Sequence, residues 1–117
     1  MDIITTLKEQ WPLLALIAWF GYKWWSSRRV VRMLPALKAR GAVLVDVRSA
    51  QEFAVGQAPG TINIPLPELG SRLNELSKDS PVVLCCASGT RSGMAGMLLR
   101  KNGFRDVHNV GAWTKLA

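Results

Sequence analysis

The chain has 117 residues, nearly half of them apolar, and a formal net charge of +7. This length accommodates one domain of ordinary size with a short appendage and excludes a second catalytic domain. Most of the excess positive charge lies in residues 1–40, and the rest of the chain is only mildly basic. A nucleic-acid-binding role is therefore not expected.

The only two cysteines, Cys85 and Cys86, are adjacent in the sequence. Adjacent cysteines cannot form the disulfide framework of small secreted domains, because a bond between neighbours strains the intervening peptide. His108 is the only histidine, so no cluster of cysteines and histidines has the spacing of metal ligands. We therefore expect free thiols, a reducing compartment, and no metal or cofactor.

Residues 11–22 form an uninterrupted apolar and aromatic run, with Trp11 at its start and Trp24 and Trp25 just after it. Tryptophan favours the membrane–water boundary, so this pattern predicts a membrane-anchoring helix that contacts lipid through residues 11–25. The segment is short, since residues 11–25 span roughly 22 Å as a helix against a hydrocarbon core of about 30 Å. A cleaved signal peptide and a helix lying flat on the membrane are alternatives, but the sequence favours a single-pass transmembrane anchor.

Basic residues follow the apolar run and Lys8 alone precedes it. Because positive charge stays on the cytoplasmic side, we expect an inner-membrane protein whose following domain faces the cytoplasm. Pro35 is expected to interrupt or restart the helix near Leu34. Residues 1–33 are thus predicted to form the anchor with a basic stalk, and residues 34–117 the soluble domain.

In the soluble domain, short apolar runs rich in β-branched residues alternate with segments of helical periodicity. Strands are predicted at residues 42–47, 61–64, 81–85 and 107–110, and helices at residues 67–76 and 92–102. This alternation predicts a small three-layer α/β domain with a mostly parallel sheet flanked by helices. Such sheets bind ligands beyond the carboxyl ends of their strands, where the cysteine pair lies.

Small residues follow Cys86 and lead into a predicted helix. The loop consists of Ala87, Ser88, Gly89, Thr90, Arg91 and Ser92. Small residues let backbone N–H groups turn inward around an anion, and a helix N-terminus adds positive potential. These surroundings lower the pKa of a thiol, so Cys86 is predicted to be a nucleophile. Cys85 should point to the opposite side of the strand and is interpreted as a core residue.

Further segments accompany this loop in the order Val45-Asp46-Val47-Arg48, Glu52-Phe53, Ala58-Pro59-Gly60-Thr61-Ile62-Asn63-Ile64-Pro65 and Gly111-Ala112-Trp113. Together they resemble the landmarks of the rhodanese family of single-domain thiosulfate sulfurtransferases. The resemblance covers nearly all of the soluble part and implies a rhodanese-like fold.

The resemblance implies that Cys86 takes sulfur from a donor such as thiosulfate, holds it as a persulfide and passes it to cyanide or a thiol. It makes residues 87–92 the substrate-binding loop, in which the backbone cradles the persulfide and Arg91 orients the anionic donor. Asp46 and Arg48 are interpreted as structural residues near the site, because a polar pair at a strand end more often fixes loops than reacts.

Two other functions stay open. The first is a membrane-held persulfide carrier or binding module that serves a partner protein. Whichever function holds, a protein sulfur acceptor or a second copy of the chain in a homodimer is an open partner. The second is a cysteine phosphatase or arsenate reductase, whose loop has five residues between cysteine and arginine. Four residues separate Cys86 from Arg91, and only a count from Cys85 gives five, so the sequence favours sulfur transfer.

Overall fold

The structure, a computed structural model, describes residues 3–117 without the side chain of residue 7. The first two residues of the predicted anchor lie outside the described residues. The elements are α1 (Ile3–Ala39), β1 (Val43–Asp46), α2 (Ala50–Val55), β2 (Thr61–Asn63), α3 (Leu66–Leu69), β3 (Val82–Cys86), α4 (Thr90–Lys101) and β4 (Val107–Ala112). Single 3₁₀ turns follow at Leu73–Glu75 and Trp113–Leu116.

The four strands form one sheet in the order β2-β1-β3-β4, and every neighbouring pair is parallel. All four predicted strands are confirmed within a residue or two. Every residue of β3 is buried, which explains its unbroken apolar sequence, since a central parallel strand is covered on both faces. Because β3 is an inner strand, its last residue, Cys86, lies in the middle of the sheet edge formed by the carboxyl ends of the strands.

Side chains of β3 alternate between two cores, one on each face of the sheet. Val83 and Cys85 pack in the core that includes Leu34 of α1, whereas Leu84 and Cys86 pack in the core that includes Leu99 of α4. Alternation with a period of two residues sends neighbouring strand side chains to opposite faces. The result is the predicted three-layer arrangement, with α1 on one face and α3 and α4 on the other.

The segment predicted as a helix at residues 67–76 is less regular than its leucine spacing suggested. The helix α3 ends at Leu69, and a separate 3₁₀ turn begins at Leu73. Gly70 and Ser71 lie between them, and both residue types are poor helix formers. Leu69 and Leu76 nevertheless pack into the same core, so their burial rather than a continuous helix accounts for the spacing.

Helix α1 runs without a break past Pro35, so the predicted interruption near Leu34 is wrong. Proline removes one helical hydrogen bond, and the burial of Leu34 and Leu37 on either side of it offsets that cost. The helix ends instead at Ala39. Gly41 adopts a left-handed φ of 81°, and the N–H of Ala42 donates to the carbonyl of Leu37 at 3.0 Å, which closes a Schellman cap.

The two halves of α1 have different surroundings. Val30, Leu34 and Leu37 are buried against the sheet, so the predicted domain boundary at residue 34 falls inside one helix. The boundary of the independently folding unit stays a prediction. The part of α1 from Trp11 to Trp25 instead exposes large apolar side chains around its circumference: Trp11, Leu13, Leu14, Leu16, Ile17, Trp19, Phe20, Tyr22, Trp24 and Trp25.

Among residues 3–117, no helix combines the length and the apolar character that a membrane crossing requires. The prediction of a membrane-spanning anchor is therefore not supported. Helix α1 is about 55 Å long at 1.5 Å per residue, which exceeds the hydrocarbon thickness of a bilayer. The length of its apolar run, and not the length of the helix, falls short of a membrane crossing, because Lys8 and Glu9 precede the run and Lys23 follows it.

Candidate active site

Cys86 is the last residue of β3, and three residues connect it to the start of α4 at Thr90. This connection is tight because Gly89 adopts a φ of 102°, a conformation that side chains other than glycine rarely take. A Cβ on Gly89 would also lie 3.2 Å from Cα of Gly111. Glycine at this position therefore lets the loop fold back over the sulfur. We call residues 86–92 the Cys86 loop.

The sulfur of Cys86 is buried and surrounded by hydrogen-bond donors. The N–H of Gly89 donates to Sγ at 2.8 Å, and Oγ of Ser92 lies 3.3 Å from Sγ. Burial acts to raise the pKa of Cys86, but hydrogen bonds from the Ser92 hydroxyl and from the N–H groups of Ser92, Gly89 and Ser88 outweigh it, and the pKa is lowered. The predicted nucleophile thus lies in surroundings that stabilise a thiolate.

Asn109, on β4, connects the loop to the neighbouring strand, and sequence reasoning missed it. Its Oδ1 lies 2.6 Å from Oγ of Ser92 and accepts the N–H of Gly111 at 2.9 Å. Its Nδ2 donates to the carbonyl of Gly89 at 3.1 Å. The available signal was a pair of polar residues, His108 and Asn109, between the two valines of a predicted strand. Asn109 therefore holds Ser92 and Gly89, two of the residues that donate to the sulfur of Cys86.

The hydroxyl of Ser92 faces two acceptors, Sγ of Cys86 and Oδ1 of Asn109. Because a hydroxyl has one hydrogen, Ser92 donates to only one of them at a time. The charged thiolate is the stronger acceptor, since hydrogen bonds to ions are stronger than those between neutral groups. Deprotonation of Cys86 therefore favours donation from Ser92 to the sulfur.

Arg91, the predicted donor-binding residue, forms a bidentate ion pair with Glu52 of α2. The two oxygen–nitrogen distances are 2.6 and 3.0 Å. Hydrogen bonding to Arg91 is the main cause that lowers the pKa of Glu52 to about 2. The same carboxylate accepts the N–H of Ser49 at 3.2 Å and so completes the capping box of α2. Sequence reasoning did not find Glu52 as the partner of Arg91.

The remaining predicted loop residues contribute to the sulfur only through the backbone N–H of Ser88. Ala87, Ser88 and Thr90 are exposed at the surface of the loop. The hydroxyl that reaches Sγ belongs to Ser92, the last residue of the predicted set. Ala87, Ser88 and Thr90 therefore form the outer rim of the Cys86 loop.

Comparison with known proteins agrees with this geometry. Residues 30–116 match the sequence profile of the family described as Rhodanese-like domain. The chain belongs to the rhodanese-like domain family. The matched range begins at Val30 and includes only the last ten residues of α1, which in this rhodanese-like protein pack on the sheet.

Relatives with sulfurtransferase names are among the similar proteins. The thiosulfate sulfurtransferase GlpE of Pseudomonas syringae pv. syringae (strain B728a) is 36% identical over 75 residues, which are 64% of this chain and 71% of GlpE. The human single-domain sulfurtransferase TSTD1 superimposes with a TM-score of 0.62 at 34% identity, over 72% of this chain and 88% of TSTD1. This protein is thus a member of a sulfurtransferase family.

Another relative has a higher sequence identity than GlpE, but the match covers a smaller part of that relative's length. YqhL of Bacillus subtilis (strain 168) is 46% identical over 71 residues, which are 61% of this chain. The chain spans 56% of the length of YqhL, so little more than half of that relative has a counterpart here.

The rhodanese-like domain fixes the carboxyl end of β1 with a buried ion pair. Nη2 of Arg48 lies 2.7 Å from Oδ2 of Asp46 and donates to the carbonyl of Gly56 at 2.6 Å. The guanidinium also stacks 4.5 Å from the ring centroid of Trp113. These contacts tie β1, the end of α2 and the C-terminal turn together beside the site.

Cys85 has a different environment from its neighbour. Its side chain lies in the core that faces α1, and burial, followed by the charge of Asp46, raises its pKa to about 12. A thiol in these surroundings is unreactive. The loop of this rhodanese-like domain therefore begins at Cys86, with four residues before Arg91, and the five-residue count of a phosphatase loop from Cys85 has no structural counterpart.

Proposed function

We propose that this protein is a sulfurtransferase in which Cys86 accepts sulfane sulfur from a donor such as thiosulfate and passes it to cyanide or a thiol. The observation that carries the proposal is the buried sulfur of Cys86. It accepts a hydrogen bond from the N–H of Gly89 at 2.8 Å, and the hydroxyl of Ser92 lies beside it. These donors favour the thiolate, the form that attacks sulfur.

In the first half-reaction the thiolate of Cys86 attacks the outer sulfur of thiosulfate. A sulfur–sulfur bond forms on Cys86, the sulfur–sulfur bond of thiosulfate breaks, and sulfite leaves with the electron pair. In the second half-reaction the acceptor attacks the outer sulfur of the persulfide, and Cys86 leaves as a thiolate. No external oxidant or reductant is needed, since the sulfane sulfur is only transferred.

Residues of the Cys86 loop take separate parts in this reaction. The N–H groups of Ser88, Gly89 and Ser92 stabilise the negative charge on sulfur before and after each transfer. Arg91 attracts the anionic donor. Glu52 already pairs with Arg91, so the donor and this carboxylate compete for the same guanidinium group. Ala87 and Thr90 shape the rim through which the donor enters.

Intact-mass spectrometry of the full chain with and without thiosulfate tests this function. We expect the mass of one sulfur atom to be added to the wild type and to Cys85→Ala, and not to Cys86→Ser. Cys85 is the matched control because it is the neighbouring thiol on the opposite face of the sheet. A folded wild-type protein that takes up no sulfur, or a Cys86→Ser variant that does, would contradict the proposal.

A persulfide carrier that serves a partner protein is the second candidate. Its support is the complete burial of the Cys86 sulfur, which protects a persulfide from solvent between loading and delivery. Slow turnover with cyanide together with fast loading by thiosulfate would favour the carrier. Efficient turnover with thiosulfate and cyanide alone would favour the free enzyme.

We also propose that residues 11–25 contact lipid and hold the domain at the cytoplasmic face of the inner membrane. Support comes from the exposed aromatic side chains of this segment and from two arginines stacked on them. The guanidinium carbon of Arg28 lies 4.8 Å from the ring centroid of Trp24, and that of Arg29 lies 5.7 Å from that of Trp25. Tryptophan beside arginine suits the interface of an anionic membrane.

Flotation with lipid vesicles tests the lipid proposal. The full chain should float with vesicles that contain anionic phosphatidylglycerol, and Trp24→Gln together with Trp25→Gln should weaken flotation. Ile62→Gln is the control, because Ile62 is an exposed apolar residue on β2 far from this segment in sequence. Equal recovery of the wild type and the double tryptophan variant in the floated fraction would contradict the proposal. Wild-type protein that stays at the bottom of the gradient would contradict it as well.

A further inference from the structure

A cleft of about 650 Å³ lies between α1 and α4, beside the Cys86 loop. We call it the α1 cleft. Ser88, Gly89 and Thr90 form part of its wall, and the N–H of Gly89 donates to Sγ of Cys86. A molecule in the α1 cleft therefore lies against the same loop that holds the reactive sulfur. The volume is within the range of small-molecule sites, roughly 300 to 1,000 Å³.

The walls of the α1 cleft are mainly apolar. Met94 and Met97 of α4 line it with most of their surface exposed, 57% and 71% respectively, and Phe20 of α1 lines the opposite wall. Methionine side chains adapt their shape to apolar ligands. Thiosulfate and sulfite are small, hydrated anions that gain nothing from such walls. These side chains are therefore available to recognise the second substrate, the sulfur acceptor.

The charged groups of the α1 cleft are all positive. Lys23 of α1 and Lys115 near the C-terminus line it, and the described residues of its wall include no aspartate or glutamate. Lys115 is also hydrogen-bonded to Ser27 of α1, so its ammonium group is held at the cleft. Two ammonium groups beside apolar walls complement a ligand that is apolar over most of its length and negatively charged at one end.

We propose that the α1 cleft binds the sulfur acceptor, a small thiol with an apolar body and an anionic group. This inference rests on the proposed sulfurtransferase function. In the bound complex the acceptor thiolate attacks the outer sulfur of the Cys86 persulfide. A new sulfur–sulfur bond forms on the acceptor, the bond to Cys86 breaks, and its electron pair leaves Cys86 as a thiolate. The acceptor departs as a persulfide, and no other reactant is consumed.

Persulfide transfer from loaded full-length protein in buffer without lipid tests this site, because Phe20 and Lys23 also belong to the proposed lipid-contacting segment and lipid would compete for the cleft. The probes are para-(mercaptomethyl)benzoate, the smaller anion mercaptoacetate, and para-(mercaptomethyl)benzylamine, which has the same ring with a positive charge. We expect the second-order rate constant for the aromatic anion to exceed those for the other two thiols by about ten-fold. Met97→Gln should remove the preference for the ring, and Lys23→Gln should reduce the preference for the anion over the amine.

Val55→Gln is the matched control, because it makes the same type of change at an exposed residue of α2 outside the α1 cleft. All variants should load sulfur from thiosulfate as fast as the wild type. Failure to load sulfur would therefore count against the proposed function and not against this site. Equal rates for the three thiols, or equal effects of Met97→Gln and Val55→Gln, would overturn the proposal. Light scattering that shows a dimer dispersed by Met97→Gln would do the same, since a second copy would then fill the cleft.

Discussion

Arg91 and Glu52, which are 39 residues apart in the sequence, form a bidentate ion pair at the rim of the site. The pair joins the first turn of α4 to α2. Its guanidinium is the charge that the resemblance assigned to the anionic donor. Under the proposed function, donor binding at Arg91 would compete with a carboxylate that is already in place.

Replacing Glu52 with glutamine should release the charge of Arg91 for the donor. Glutamine keeps the capping-box geometry at the start of α2, so the change removes mainly the negative charge. We expect the KM for thiosulfate to fall by about two- to five-fold, in line with the strength of exposed ion pairs. Steady-state kinetics with thiosulfate and cyanide measure this effect.

Glu75→Gln is the control for this prediction, because Glu75 forms an exposed ion pair with Arg72 away from the site. It should leave the KM for thiosulfate unchanged. A higher KM in Glu52→Gln would show instead that the ion pair positions Arg91 for the donor.

Alkylation of Cys86 should depend on pH with an inflection below that of a free cysteine, whose pKa is about 8.5. The hydrogen bonds to Sγ lower the pKa, so reactivity should persist at neutral pH and be lost as the pH falls through the lowered value. Removing the hydroxyl with Ser92→Ala should move the inflection to higher pH. Iodoacetamide labelling followed by intact mass measures both curves, and coincident curves would rule out a role for the Ser92 hydroxyl.

Asn109→Ala should loosen the Cys86 loop, because it removes contacts to Ser92, Gly89 and Gly111. Partly buried groups lose their partners, so we expect a loss of about 1 to 3 kcal/mol in the free energy of unfolding. The alkylation inflection of Cys86 should also move to higher pH, which a purely structural role would not require. Urea unfolding and labelling measure the two effects.

Asn102→Ala is the matched control for Asn109→Ala. Asn102 is exposed and donates one side-chain hydrogen bond to the carbonyl of Leu98 at the end of α4. It should change stability slightly and leave the pH dependence of Cys86 labelling unaltered. An unchanged labelling curve in Asn109→Ala would limit Asn109 to a structural role.

Arg48→Met should destabilise the domain strongly, because it leaves the carboxylate of Asp46 buried without its partner. The side chain of Asp46 has no exposed surface, and that of Arg48 is 5% exposed. Breaking a buried pair in this way costs about 3 kcal/mol or more in the free energy of unfolding. Urea denaturation measures the change, with Arg72→Met in the exposed pair as a control of smaller effect. Equal losses in the two variants would contradict the prediction.

Local sequence patterns were sufficient for the strands and for the position of Cys86 at the end of a central strand. Apolar runs rich in β-branched residues predict buried strands from the local sequence alone. Alternation along β3 likewise predicts that Cys85 and Cys86 face opposite sides of the sheet, whichever elements pack on those sides. Local patterns were insufficient where another effect opposes the local signal. Pro35 predicted a break that the burial of Leu34 and Leu37 overrides, and leucine spacing predicted a helix that Gly70 interrupts.

By itself the sequence determined a parallel α/β domain in which Cys86 ends a central strand and small residues lead into a helix. Those features depend on neighbours along the chain. Only the tertiary structure decided that Asn109 holds Ser92, that Glu52 pairs with Arg91, and that the second half of α1 packs on the sheet. The physical reason is that these contacts join residues distant in sequence, and their formation depends on which faces the packing of the core brings together.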